Sequence, residues 1–143
     1  MKKSISLILI LSILLFIFSS CDSKKTRIED HEWKMRYVMR GENDQVIIDA
    51  IDKEDSVYPN AKIVELTLIA KYGKLTLTDH TNGKTYDGTY AVESKTPSGT
   101  NYSVTIDGKK GYAGVAMTTY ADGSQEPTLP ITLEEHSIYF YAK

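Results

Sequence analysis

Apolar side chains recur at every second position through most of this chain, and that period leaves little choice of fold. Trp33, Met35, Tyr37 and Met39 alternate with Lys34, Arg36 and Arg40, and only Val38 is out of step. Leu66, Leu68 and Ala70 alternate with Thr67; Leu75 and Leu77 alternate with Lys74, Thr76 and Thr78. Tyr86, Gly88, Tyr90 and Val92 share one face; Tyr102, Val104 and Ile106 share another. Leu129, Ile131 and Leu133 repeat the rule, then Ile138, Phe140 and Ala142. Alternation of this kind belongs to strands with one buried and one wet face, because successive side chains leave a strand on opposite sides.

The breaks fall where hairpins need them. Tyr72-Gly73, Asn82-Gly83, Asp107-Gly108 and Asp122-Gly123 are tight-turn pairs, and Pro97-Ser98-Gly99 and Pro127 mark further turns or strand starts. Turns every ~8–15 residues predict an all-β chain: a small, closed or nearly closed antiparallel up-and-down barrel of about eight strands. Closure removes exposed sheet edges. The first strand, near Trp33, is expected to pair with the last, near Phe140, and Trp33 to plug one end. The candidate interior is Trp33, Met35, Tyr37, Leu66, Leu68, Leu75, Leu77, Tyr86, Tyr90, Tyr102, Val104, Leu129, Ile131 and Phe140. Tyr139 and Tyr141 fall on the outer face. Residues 45–58 do not conform: Val46, Ile47, Ala50 and Ile51 suit a strand or a short helix, followed by a loop across one mouth of the barrel.

A second pattern precedes the barrel. Lys2 and Lys3 are followed by an apolar run over residues 5–18, broken only by Ser6 and Ser12. As a helix it would span about 21 Å, short of the ~30 Å hydrocarbon core, so it fits the apolar region of a signal peptide better than a permanent span. The run ends in Phe18-Ser19-Ser20-Cys21, at the only cysteine of the chain. These residues resemble the lipobox of bacterial lipoproteins, with Phe18 standing where Leu, Val or Ile is more usual. The resemblance implies cleavage before Cys21, a diacylglyceryl group on its thiol with further acylation such as palmitate, and extracytoplasmic anchoring on the cell membrane or cell surface. The expected organisation is a signal peptide over residues 1–20, a lipid-anchored linker over 21–31 and a barrel domain over 32–143. Residues 22–27, Asp-Ser-Lys-Lys-Thr-Arg, contain no apolar side chain, as suits a tether.

Charge and cysteine content exclude several function classes. Without Lys2 and Lys3 the chain holds 15 basic and 19 acidic residues, a formal −4, the wrong sign for a nucleic-acid binder. One cysteine permits no internal disulfide and no four-cysteine zinc site. His31, His80 and His136 lack ligand spacing within any one element, and the carboxylates beside His80 and His136 read as solvated turn residues. No Gly-x-Ser-x-Gly elbow occurs. The Asp-Gly turns lack the acidic ligand set of a calcium loop. No metal, no catalytic residue and no cofactor beyond the covalent lipid is expected, and the chain reads as a non-enzyme.

Trp33, Thr67-Leu68 ahead of Gly73-Lys74-Leu75, Gly88-Thr89-Tyr90 and the terminal Ile138-Tyr139-Phe140-Tyr141 are similar to the small lipocalin-like domains of bacterial lipoproteins. Thr118-Thr119-Tyr120-Ala121-Asp122-Gly123 with Pro127-Thr128-Leu129-Pro130-Ile131 resembles one subgroup of these. The resemblance implies a barrel and carries no catalytic residues. The expected function is a membrane-anchored, non-catalytic module that binds a small apolar or amphipathic ligand or an envelope component. The alternative is a structural or protein-interaction domain with a filled core. Ten tyrosines serve either: they can line a cavity with hydroxyls to orient a ligand, or fill a barrel that encloses little beyond its own side chains.

Overall fold

Among the described residues ten strands form one sheet, which closes on itself. The computed structural model describes residues 26–41, 45–50, 58 and 60–143; the apolar run and Cys21 lie outside the described residues. The strands are β1 (Glu32–Arg40), β2 (Gln45–Asp49), β3 (Lys62–Ile63), β4 (Leu66–Lys71), β5 (Lys74–Asp79), β6 (Lys84–Thr96), β7 (Gly99–Ile106), β8 (Lys109–Thr119), β9 (Gln125–Leu133) and β10 (His136–Ala142). From β4 to β10 each strand pairs antiparallel with the next, and β10 pairs with β1. The first half of β1 pairs with β4, completing an eight-stranded barrel of β1 and β4 to β10. Its second half pairs with β2, which carries the short parallel β3, so these two strands lie outside the barrel.

The expected closure is therefore present: Trp33 stands opposite Ala142 and Met35 opposite Phe140. The tight turns sit where the sequence placed them. Tyr72 and Asp107 adopt φ of 50°, followed by Gly73 at 77° and Gly108 at 76°, the left-handed pair that a two-residue hairpin requires. Of residues 45–58, the segment 45–49 is a strand, and residues 51–57 lie outside the described residues. The curvature of so small a barrel needs close strand approach at places; a Cβ on Gly111 would run into the carbonyl oxygen of Thr132.

The inner face is occupied by side chains from every barrel strand. Trp33, Met35, Leu66, Leu68, Leu75, Leu77, Tyr90, Tyr102, Val104, Leu129, Ile131 and Phe140 are all buried in one cluster, as the alternation predicts. Tyr86 is half-buried and packs against that cluster. Val92 continues the inner face of β6 opposite Tyr102 but is 53% exposed.

Tyr37 is the correction. It does not join the interior. The register of β1 against β10 slips between Met35 and Tyr37: Met35 faces Phe140, Tyr37 faces the adjacent Tyr139, and Arg36 is the extra residue. This β-bulge shifts the phase of the strand by one. Val38, the residue that broke the alternation, is buried, and Tyr37 lies half-buried on the outer face.

The segment expected to be linker also joins the fold at its end. Residues Ile28–Asp30 form one 3-10 turn, and Ile28 is fully buried. Trp33 Nε1 donates to the Ile28 carbonyl (2.8 Å), and the Ile28 amide donates to Tyr102 Oη (3.2 Å). Tyr90 Oη donates to Glu29 (2.6 Å). The turn and Trp33 together stopper one end of the barrel, hereafter the tether end.

Candidate functional site

Two surfaces of the barrel differ in what they offer a ligand. The broad groove over the outer faces of β6, β7 and β8 measures about 640 Å³ and is lined by Thr89, Ala91, Ser103, Thr105, Lys110 and Tyr112. Size favours it, but its lining is about as polar as apolar, and Thr89, Glu93, Ser103, Thr105 and Lys110 break up the apolar area contributed by Tyr112 and Val104. The second surface is a cleft of about 470 Å³ across β1, β10, β9 and the end of β8. Tyr37, Tyr139 and Tyr141 form its aromatic wall, Pro130 adds a rigid apolar face, and Arg36, Tyr120 and Glu126 close one side.

The bulge builds this cleft. In a regular strand Arg36 and Tyr37 would point to opposite faces. The extra residue turns both outward, next to each other. The Tyr37 ring then stacks on Tyr139 with centroids 4.7 Å apart and planes inclined by 34°. Burial, and next the neighbouring Tyr139, holds the Tyr37 phenol above its ordinary pKa, so Tyr37 is a neutral hydroxyl at physiological pH.

Arg36 reaches across β10 to the β8–β9 hairpin. Its Nη1 donates to Tyr120 Oη (3.0 Å) and its Nη2 to Glu126 Oε1 (2.9 Å). Tyr120 Oη in turn donates to the same Glu126 oxygen. Arginine, phenol and carboxylate thus close a three-membered ring of hydrogen bonds. The hydrogen bond to Glu126, and then burial, raise the Tyr120 pKa. The guanidinium also lies 5.0 Å from the Tyr141 ring centroid and 5.8 Å from that of Tyr120, within the range of cation–π attraction. A planar, permanently charged fork held at several points is a rigid feature. The cleft therefore pairs flat aromatic walls with a fixed charged corner.

Sequence reasoning placed Tyr139 and Tyr141 on the outside correctly and missed Arg36, Tyr120 and Glu126. Arg36 lies 84 residues from Tyr120 and 90 from Glu126, so no spacing motif joins them. The readable trace was Val38, whose misfit in the alternation marks the bulge.

Of the histidines, His80 shares a 2.8 Å hydrogen bond with Thr67 Oγ1, and His31 packs edge-on against Trp33 at 5.3 Å. Among the described residues no group of three or more His, Cys, Asp or Glu side chains is placed to hold a metal ion, and no helix is long and apolar enough to cross a membrane. No protein-family model, curated protein or solved structure matches this chain.

Proposed function

We propose that this chain is an extracytoplasmic lipoprotein, anchored through a diacylglyceryl group on Cys21, whose barrel is a non-catalytic binding module with its ligand site on the outside. The observation that carries the reading is the bulge at Arg36. It interrupts an otherwise regular strand pairing, and its effect is to set Arg36 and Tyr37 side by side on the cleft. Irregularities of this kind re-aim side chains near binding sites.

The ligand that suits the cleft is a small amphipathic molecule. One flat apolar face would lie on Tyr37, Tyr139 and Pro130, and polar groups would meet Arg36 and the tyrosine hydroxyls. A ligand inside the barrel, which inner tyrosines could line, finds no room, because Trp33, Tyr102, Phe140, Met35 and Leu68 occupy that space. The filled interior equally supports a second reading, a protein-interaction domain that uses the same outer cleft for a partner's side chains.

Native mass spectrometry of the chain purified from its own host separates the two. A retained small molecule that disappears in Tyr139→Ala supports the ligand reading. A bare mass together with a stoichiometric protein complex, lost in the same variant, supports the interaction reading. A retained molecule or complex indifferent to Tyr139→Ala and Arg36→Ala overturns the assignment of the cleft.

A further inference from the structure

The tether end of the barrel differs from the opposite end in a way that the cleft does not explain. Tyr72 is 90% exposed at the tip of the β4–β5 hairpin. The Lys71 ammonium lies 5.7 Å from its ring centroid, and Lys74 is the register partner of Lys71 across that hairpin. The hairpin adjoins the stopper: the Gly73 carbonyl accepts from the Tyr90 amide, and Tyr90 Oη donates to Glu29. Around the same rim, Val92 is 53% and Met117 46% exposed. The Thr26 hydroxyl donates to Met117 Sδ (3.7 Å), so the chain that leads back to Cys21 leaves from within this ring. The turns at the opposite end carry Asp107, Glu134 and Glu135, the last two paired with Lys109 and Arg40, while the β8–β9 turn at the tether end carries Asp122.

We infer that the tether end is a membrane-contact surface, with Tyr72, Val92 and Met117 seated at the headgroup–acyl boundary and Lys71 and Lys74 on anionic headgroups. The inference rests on the lipid anchor of the proposed function, and the length of the tether is its main support. Cys21 precedes Thr26 by five residues, which reach at most about 18 Å when fully extended. The tether end can stand no farther from the bilayer than that, roughly two Debye lengths at physiological salt. An exposed tyrosine flanked by lysines is the residue set that proteins place at this boundary: the ring takes the half-polar zone and the ammonium groups remain with the phosphates. Each such lysine adds attraction to an anionic surface. Two acidic residues of the same end are neutralised by neighbours, Asp30 by Arg27 and Glu32 by Lys143. The surface turns one lipid-anchored residue into a fixed orientation, so that the cleft opens along the flank of an upright barrel.

The test uses the processed, lipidated chain in vesicles of phosphatidylcholine with and without phosphatidylglycerol. A polarity-sensitive fluorophore is attached to Tyr72→Cys or, at the opposite end, to Asp107→Cys. Both positions are exposed first residues of Xaa-Gly turns with the same φ, so neither variant burdens folding more than the other. The label at 72 is expected to shift to the blue and to be quenched severalfold more by brominated acyl chains than the label at 107. That difference should shrink without phosphatidylglycerol and in Lys71→Glu/Lys74→Glu. Equal quenching at both ends, or a water-exposed label at 72 on anionic vesicles, overturns the inference. The intact mass of the processed chain keeps the two claims apart. A missing diacylglyceryl mass defeats the anchor and this surface together, whereas a lipidated chain with label 72 in water defeats this surface alone.

Discussion

Trp33 and Tyr37 stand four residues apart on one strand, and the barrel uses them in opposite ways. Trp33 lies before the bulge, is fully buried, and has its one polar atom tied to the Ile28 carbonyl. Tyr37 lies after it, half-buried on the outer wall against Tyr139. The same contrast separates the other tyrosines. Tyr90 and Tyr102 meet edge to face at 5.8 Å inside and are bonded to the 3-10 turn; Tyr120 and Tyr141 flank Arg36 outside. Aromatic content alone therefore says nothing about role. An interior ring contributes burial and a satisfied hydrogen bond, which is stability. An outer ring keeps a wet face, which is what a ligand can cover.

The largest effect that sharpens this contrast is expected from Trp33→Ala. Removing the stopper should cost about 3–5 kcal/mol, a large share of an ordinary domain's stability, read as a fall in the urea midpoint at an unchanged slope. A small shift there would mean that the interior tolerates a hole at its tether end, and the contrast would fail.

Deleting Arg36 comes next. Without it Tyr37 still follows Met35 on the outer face and Val38 on the inner, so alternation becomes regular and the barrel should remain. The loss is the ring with Tyr120 and Glu126, about 1–3 kcal/mol, together with cleft binding. Deleting Lys34 instead should be far worse, because it moves Met35 outward. Equal damage from the two deletions, compared by chemical denaturation and amide exchange, would make the bulge a structural necessity rather than a placement device.

Alkaline pH probes the inner tyrosines. Burial holds the Tyr102 phenol above its ordinary pKa, and burial followed by the Glu29 hydrogen bond does so for Tyr90. The native state thus keeps protons that the unfolded chain releases near pH 10. The stability tied to these groups is complete below that pH and is lost as pH rises through their raised native values. Tyr102→Phe should cost about 1–3 kcal/mol at neutral pH, because it leaves the buried Ile28 amide without its acceptor. It should also flatten the alkaline fall in thermal midpoint. An unchanged fall would place the responsible groups elsewhere.

The smallest change in stability is expected from Tyr139→Ala, about 0.5–1.5 kcal/mol for the lost ring pair with Tyr37, alongside complete loss of whatever the cleft holds. Full binding by this variant would shift the site away from the outer tyrosines.

The alternation of Leu66, Leu68, Leu75, Leu77, Leu129 and Ile131, and the turn pairs at Tyr72-Gly73 and Asp107-Gly108, already dictated an antiparallel barrel and its inner face. Side-chain direction along a strand and left-handed φ in a tight turn are local properties, and local properties are written in neighbouring residues. The meeting of the first strand with the last followed from the need to leave no open edge. Three things were decided only by the tertiary structure. The phase of β1 after Met35 depended on how Arg36 met β10, because a bulge is a property of two strands and not of one. The burial of Ile28 required the rim of the finished barrel, with Tyr90, Tyr102 and Trp33 waiting for its backbone and for Glu29. The cleft required residues from β1, the β8–β9 hairpin and β10 to be brought to one wall, across separations of 84 and 90 residues for Arg36 and its two partners. Such proximity is created by closure of the sheet, so no period in the sequence encodes it.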